Sequence, residues 1–219
     1  MIIAIDGPSA SGKSTTAKGV SNKLGFTHLD TGSMYRAVTL GFSNENIMLN
    51  DHSRITNYLK DLDIKFNRNG HILLNGVDVS NAIRTVEISS KVSRISAIPE
   101  IRRKMVDIQR DIAGKSDCVL EGRDIGTVVF PNADYKFFLI ADIDIRAQRR
   151  LIELKQTNEL ITIEEIISSI NIRDELDSKR SHSPLKQALD AIEIDTSLLT
   201  INQQIEKIVE IVKLNKKET

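Results

Sequence analysis

The segment Gly7-Pro8-Ser9-Ala10-Ser11-Gly12-Lys13-Ser14 constrains this chain more than any other, because it carries the spacing G-x-x-x-x-G-K-S. That spacing lets consecutive backbone N–H groups turn inward around phosphate oxygens, and glycine supplies the backbone angles and close approach the turn requires. The short apolar run Ile2 to Ile5 leads into it, and a stretch suited to a helix, Lys13 to Lys23, leads out. The local order is therefore strand, loop, helix, with the positive end of the helix pointing at a bound anion. Gly7 to Ser14 and the adjoining Thr15 are the expected triphosphate-binding residues. Lys13 is expected to bridge the β- and γ-phosphates, and the Ser14 hydroxyl to help hold Mg²⁺. Many unrelated NTPases share this loop, so it leaves open whether the γ-phosphoryl group goes to water or to another acceptor.

The rest of the chain continues the alternation of an α/β fold. Phe26 to Leu29 reads as a second strand, and Thr31, as N-cap, opens a helix with apolar Met34, Ala37, Val38 and Leu40. Between Asp61 and Ser96 the texture changes. Ile64-Lys65-Phe66, Ile72-Leu73-Leu74 and Val77-Asp78-Val79 are strand-like and separated by Asn69-Gly70 and Asn75-Gly76, the dipeptide that most strongly marks a tight hairpin. Helices are expected from Val86 toward Ser96 and after Pro99. Cys118 to Leu120, Lys136 to Ile140 and Ala191 to Ile194 read as further strands, and Asp142 to Lys155 as a helix. Thr162-Ile163-Glu164-Glu165 matches a capping box whose helix stops before Pro184, and Ile201, Ile205, Ile208, Val209 and Val212 mark a closing helix. The expected architecture is a three-layer P-loop fold: a central parallel sheet flanked by helices, with a core of 1–60 and 97–219. A small antiparallel insertion occupies 61–96.

Composition narrows the function classes. Lys+Arg and Asp+Glu both number 30, so no global basic field favours a nucleic acid polymer, and three Tyr, six Phe and no Trp offer little for stacking bases. The single Cys118 excludes an intramolecular disulfide framework and fits a reducing compartment. No apolar stretch reaches the roughly 18 residues of a membrane-spanning helix, so the expected location is the cytoplasm. The four histidines, at 28, 52, 71 and 182, have no metal-ligand spacing.

Three further segments bear on the acceptor. Asp30-Thr31-Gly32-Ser33-Met34-Tyr35-Arg36 falls at a second strand-to-helix turn, where backbone donors, a hydroxyl and the Arg36 guanidinium can converge on a phosphate; Thr31 and Arg36 serve equally well as a helix cap and an exposed helix residue. Glu121-Gly122-Arg123-Asp124-Ile125-Gly126 follows the strand 118–120, at the carboxyl end where open parallel sheets build their ligand crevice; its charges could instead form a surface bridge. Arg173, Asp177 and Arg180 recur at i, i+4 and i+7, one face of the capped helix, which suits either an anion site or a solvated ladder of ion pairs.

Taken together, IDGPSASGKST, DTGSMYR, NGVDVSNAIRT, VSRISAIPEIR, EGRDIGTVVFP and RDELDSKR followed by SPL resemble the bacterial cytidylate kinases, members of the nucleoside monophosphate kinase group, over nearly the whole chain. The resemblance implies that ATP donates its γ-phosphoryl to CMP or dCMP, with Mg²⁺. It implies that Ser93, Arg102 and Asp124 read the cytosine, that Arg36, Arg123 and Arg180 hold phosphate, and that Arg173 and Asp177 face the acceptor's sugar and phosphate. Thr31 and Tyr35 join them through DTGSMYR; Lys13, Arg123, Arg173 and Arg180 become the expected catalytic residues. It also implies that the insertion lies on the acceptor-binding side and closes on the acceptor. A monomer is expected. The nearest alternatives are a kinase of the same architecture acting on UMP, AMP or a small metabolite such as shikimate, and a P-loop switch protein. Against the switch, no Asn-Lys-x-Asp guanine-reading segment is present.

Overall fold

The computed structural model describes residues 1–67, 69–155 and 161–215. Contacts divide the chain into two compact units, Met1–Leu29 with Ser116–Thr219, and Asp30–Lys115.

The first unit is built on a five-stranded sheet of order β2-β6-β1-β7-β8. Its strands are β1 (Ile2–Asp6), β2 (Thr27–Asp30), β6 (Cys118–Gly122), β7 (Tyr135–Ile140) and β8 (Ile192–Asp195). β1 pairs in parallel with β6 and β7, and β7 with β8. Sandwiched strands need apolar side chains on both faces, which is why IIAID and CVLEG read as runs and not as alternations. Helices α1 (Lys13–Leu24) and α8 (Ile201–Asn215) pack together, and Ala17, Val20, Ile205, Ile208, Val209 and Val212 join Ile3, Ile5, Val119, Phe137 and Leu139 in one core. Helices α6 (Ile143–Lys155) and α7 (Ile163–Lys179) share a smaller core of Ala147, Leu154, Ile166 and Ile170. The capping box is formed as expected: the Thr162 side chain accepts from Glu165 N at 3.2 Å, and the Glu165 carboxylate from Thr162 N at 2.9 Å.

The second unit holds α2 (Thr31–Asn44), α3 (His52–Lys60), α4 (Val86–Ser96), α5 (Pro99–Ala113) and a three-stranded antiparallel sheet. Its strands β3 (Ile64–Phe66), β4 (Ile72–Leu74) and β5 (Val77–Asp78) lie within the segment 61–96, as the Asn-Gly signals predict. Asn75 and Gly76, at φ 50° and 83°, make the two-residue turn between Leu74 and Val77. α2 packs on α4, on β4 and on α5.

Four sequence expectations are corrected. The N-cap of α2 is Asp30, whose carboxylate accepts from Ser33 N at 3.0 Å; Thr31 is the first helical residue. Asp ranks above Thr as an N-cap, and here it stands at the residue where the chain leaves β2. Glu121 and Gly122 continue β6 and do not follow it. α7 ends at Lys179, so Arg180 is its C-cap, with extended backbone angles, and not a third residue on its face. α3 was not expected; Asp51 caps it and only Ile55 and Leu59 are buried, too short an apolar pattern to stand out.

Candidate active site

In the first unit β1 delivers the glycine loop. Gly7, at φ 155°, leaves the strand so close to β7 that a β-carbon there would sit 2.3 Å from the Leu139 carbonyl oxygen. No other residue fits. Gly12, at φ 88°, ends the loop as the cap of α1 without a side-chain bond, so the first amides of α1 keep their donor character toward an anion.

Lys13 is buried, and its Nζ donates to the Pro8 carbonyl at 2.9 Å, folding the side chain back over the loop. Burial, and next the field of Arg123, push its ammonium down to about 7. Lys13 therefore gives up its proton far more readily than an exposed lysine, and a phosphate anion beside it favours the charged form. Nucleotide binding near pH 7 is expected to be accompanied by proton uptake at Lys13. Titration calorimetry in buffers of different ionisation enthalpy measures this, and buffer-independent heats would exclude a titrating Lys13.

The Ser14 hydroxyl donates to Glu121 Oε2, and His28 Nε2 lies 3.2 Å from the other oxygen, Oε1. Glu121 is almost wholly buried at the end of β6. A hydroxyl and a carboxylate held side by side are hard oxygen donors of the kind Mg²⁺ prefers, with phosphates and water completing its shell. Among the described residues no cluster of three or more His, Cys, Asp or Glu forms a metal site by itself.

Two residues after β6 the chain makes a single π-helical turn, Ile125–Val129, tied back to β1. Asp6 accepts from Ile125 N at 2.9 Å and from Gly126 N at 2.8 Å, one amide per carboxylate oxygen. Burial pushes the Asp6 carboxyl up to about 6, against the pull of these two amides.

Between β6 and that turn stand Arg123 and Asp124, which face α7 and its C-cap Arg180. Arg123 Nε bonds Asp177 Oδ2 at 2.9 Å, while Arg180 lies 3.8 Å from both Asp124 Oδ1 and Asp177 Oδ1. Burial alone would raise the Asp177 carboxyl, yet Arg123, Arg173 and Arg180 together hold it below the usual range. All five residues of this unit expected on the acceptor side, Arg123, Asp124, Arg173, Asp177 and Arg180, thus belong to one charge cluster, and Arg123 and Arg173 also act on Lys13. A buried cluster of this kind is costly unless it is used, which argues against the surface-bridge reading.

Sequence reasoning missed four participants. Asp174 Oδ1 accepts from Ser9 N at 2.8 Å, and Arg146 donates both to Asp174 Oδ2 and to the Ser9 carbonyl, placing an ion pair on the glycine loop. Glu121 and Asp6 each stand at the end of an apolar strand, a position where a carboxylate is unusual enough to notice.

The second unit gathers the remaining expected residues. Arg36 on α2 donates from NH1 to Ser89 Oγ at 2.7 Å and to the Ile83 carbonyl at 3.2 Å. Arg102 on α5 donates to the Ser96 carbonyl at 3.0 Å and lies over the Tyr35 ring. Ser93 is buried on α4, and Thr31 at the start of α2.

A glycine loop at the carboxyl end of a parallel strand, with a buried lysine and three convergent arginines, defines a P-loop kinase. The chain belongs to the cytidylate kinase family, whose model matches residues 3–214. It is 44% identical over 220 residues to a cytidylate kinase of Lactobacillus johnsonii, covering 99% of this chain and 96% of the relative. A cytidylate kinase of Caldanaerobacter subterraneus subsp. tengcongensis is 47% identical, covering 98% and 96%. Among solved structures, an uncharacterized protein of Eubacterium ventriosum matches with TM-score 0.53 at 12% identity, covering 97% of this chain and 98% of that one. TT1252 of Thermus thermophilus matches at 0.51 and 12%, covering 98% and 97%. At such identity these two establish the fold alone. The chain is an ATP-dependent kinase of that family. No helix among the described residues is long and apolar enough to cross a membrane.

Proposed function

We propose that this protein transfers the γ-phosphoryl group of ATP to CMP or dCMP, giving ADP and CDP or dCDP. The observation that carries this reading is the convergence of Arg123, Arg173 and Arg180 on the buried Asp177. A switch protein has no need of three arginines there; an enzyme that brings two phosphates together does.

The acceptor is a phosphate monoester whose second pKa is about 6, so its oxygen is mostly ionised before it binds. No general base is required. The residues must place two mutually repelling anions in line and neutralise a loose transition state. Lys13 and the amides of Gly7 to Thr15 hold the donor phosphates. Arg36, Arg123 and Arg180 hold the acceptor phosphate, Arg173 and Asp177 its sugar and phosphate, with Thr31 and Tyr35 alongside. Ser14 would hold Mg²⁺ next to Glu121; bound with ATP, the ion supplies positive charge to the phosphate oxygens.

Ser93, Arg102 and Asp124 read the base. Cytosine offers an exocyclic amine beside acceptor atoms, so a carboxylate or hydroxyl opposite the amine and a guanidinium opposite the acceptors complement it. Uracil puts a carbonyl where the amine was, leaving a buried group unsatisfied at about 1–3 kcal/mol. The segment 61–96 serves as the acceptor-side insertion on a core of 1–60 and 97–219. The protein works as a cytoplasmic monomer that binds no nucleic acid polymer.

A panel of CMP, dCMP, UMP, AMP and shikimate in a coupled ADP-release assay tests the reading. CMP and dCMP are expected to be turned over at least about tenfold more efficiently than UMP, in line with a lost hydrogen bond. ADP release independent of any acceptor would favour the switch protein instead.

A further inference from the structure

We infer that Tyr35 is a positioning residue that sets pyrimidine specificity by supporting the face of the Arg102 guanidinium. The inference rests on the proposed reading of cytosine by Arg102. α2 and α5 pack within the same unit, and the Arg102 Cζ stands 5.2 Å from the centroid of the Tyr35 ring. Both side chains are nearly out of solvent, Arg102 at 4% and Tyr35 at 8% exposure. In such desolvated surroundings a cation over an aromatic face is held far more firmly than at a surface.

The edge of the same guanidinium is fixed as well. Its NH1 donates to the Ser96 carbonyl, and the Ser96 hydroxyl donates to the Ser93 carbonyl at 3.0 Å. Arg102 is thereby tied to the turn that carries Ser93, the other base reader of this unit. A guanidinium bonded through NH1 and lying over an aromatic ring has few orientations left in which to present its remaining donors.

That rigidity has a chemical consequence. O2 and N3 of cytosine are both acceptors and match a planar donor pair, whereas N3 of uracil carries a hydrogen and meets donor with donor. A mobile guanidinium would tilt away from uracil's N–H and tolerate either base; a fixed one discriminates. Tyr35 therefore acts through its ring, by denying Arg102 alternative orientations.

The test compares wild type, Tyr35→Phe, Tyr35→Leu and Tyr35→Met in steady-state kinetics with CMP and UMP. It adds side-chain ¹H–¹⁵N spectra of the arginines in the ligand-free protein, with Arg102→Lys to assign the resonance. Wild type should show the Arg102 Nε–H shifted upfield by the ring. Tyr35→Leu should return it toward the bulk arginines and raise KM for CMP by about tenfold, with a much smaller change in kcat. The ratio of CMP to UMP efficiency should fall by at least about fivefold. Tyr35→Phe keeps the ring and should recover the ratio and the upfield shift.

A Tyr35→Leu ratio within twofold of wild type overturns the inference, as does a Tyr35→Phe loss as large as that of Tyr35→Leu, which would assign the effect to the hydroxyl. If Tyr35→Leu fails to fold, Tyr35→Met offers similar volume without a ring face. Absence of the upfield shift in wild type also overturns the inference. A wild type that ignores CMP would refute the proposed function while leaving the spectroscopic arm to judge the Tyr35–Arg102 contact by itself.

Discussion

Replacing Arg123 by alanine is expected to lower kcat by about 10³ or more while weakening nucleotide binding far less. A single well-placed arginine contributes about 10³ to 10⁵ in related phosphoryl transfers, because it neutralises charge that develops only in the transition state. Arg123 is positioned for this by its Nε bond to Asp177 and by NH1 donating to the Gly122 carbonyl at 3.2 Å, two anchors that fix the guanidinium before substrate arrives. The substitution has a second, independent signature. Arg123 is the largest charge lowering the Lys13 ammonium after burial itself, so its removal raises Lys13 and shrinks the proton uptake on nucleotide binding. Turnover near that of wild type would remove Arg123 from the catalytic set; the same standard applied to Arg180→Ala judges its partner across Asp177.

The second large effect is expected at Asp6, a residue to which no contact with substrate is assigned. Asp6→Ala leaves the buried amides of Ile125 and Gly126 without their acceptor and releases the π-helical turn that follows Arg123 and Asp124. A displacement of about 1 Å in such a group costs on the order of 10² in rate. A coupled assay with saturating ATP and CMP reads this directly, and an unchanged kcat would mean the turn holds itself. The same variant has a pH signature. Because the folded-state pKa of Asp6 is raised from 3.8 to about 6, the native protein binds the extra proton between those values. The Asp6 contribution to stability is fully present below about pH 4 and is lost as pH rises to about 6, an effect on the order of 3 kcal/mol. Urea unfolding across pH 4 to 7 should show that decline in wild type and a flatter profile in Asp6→Ala.

The parts of this molecule that were legible in the sequence are those governed by neighbours along the chain. The glycine loop, the Thr162 capping box and the Asn75-Gly76 turn are each decided by a few adjacent residues, and each formed as expected. α3 was not legible because its two buried residues, Ile55 and Leu59, sit one turn apart and make too short a pattern; its stability comes from packing on α5. The π-helical turn was invisible for the opposite reason. Nothing in Ile125–Val129 calls for it, and it depends on Asp6, some 120 residues earlier in the chain. The same holds for the site: Arg123, Asp177 and Arg180 could be named, but the partners Glu121, Arg146 and Asp174 act on the glycine loop from far along the chain.

The pairing of β1 with β6 aligns Asp6 with Gly122, so the glycine loop and Arg123 leave the sheet side by side, from neighbouring strands at the same level. A slip of one residue would offset them by about 3.3 Å and move every side chain of the slipped strand to the opposite face of the sheet. The backbone ladder at the molecule's centre thus acts as a ruler for the chemistry at its edge. Core substitutions in these two strands should be judged by whether they preserve alignment, since a protein can keep its melting point and still lose the spacing on which turnover depends.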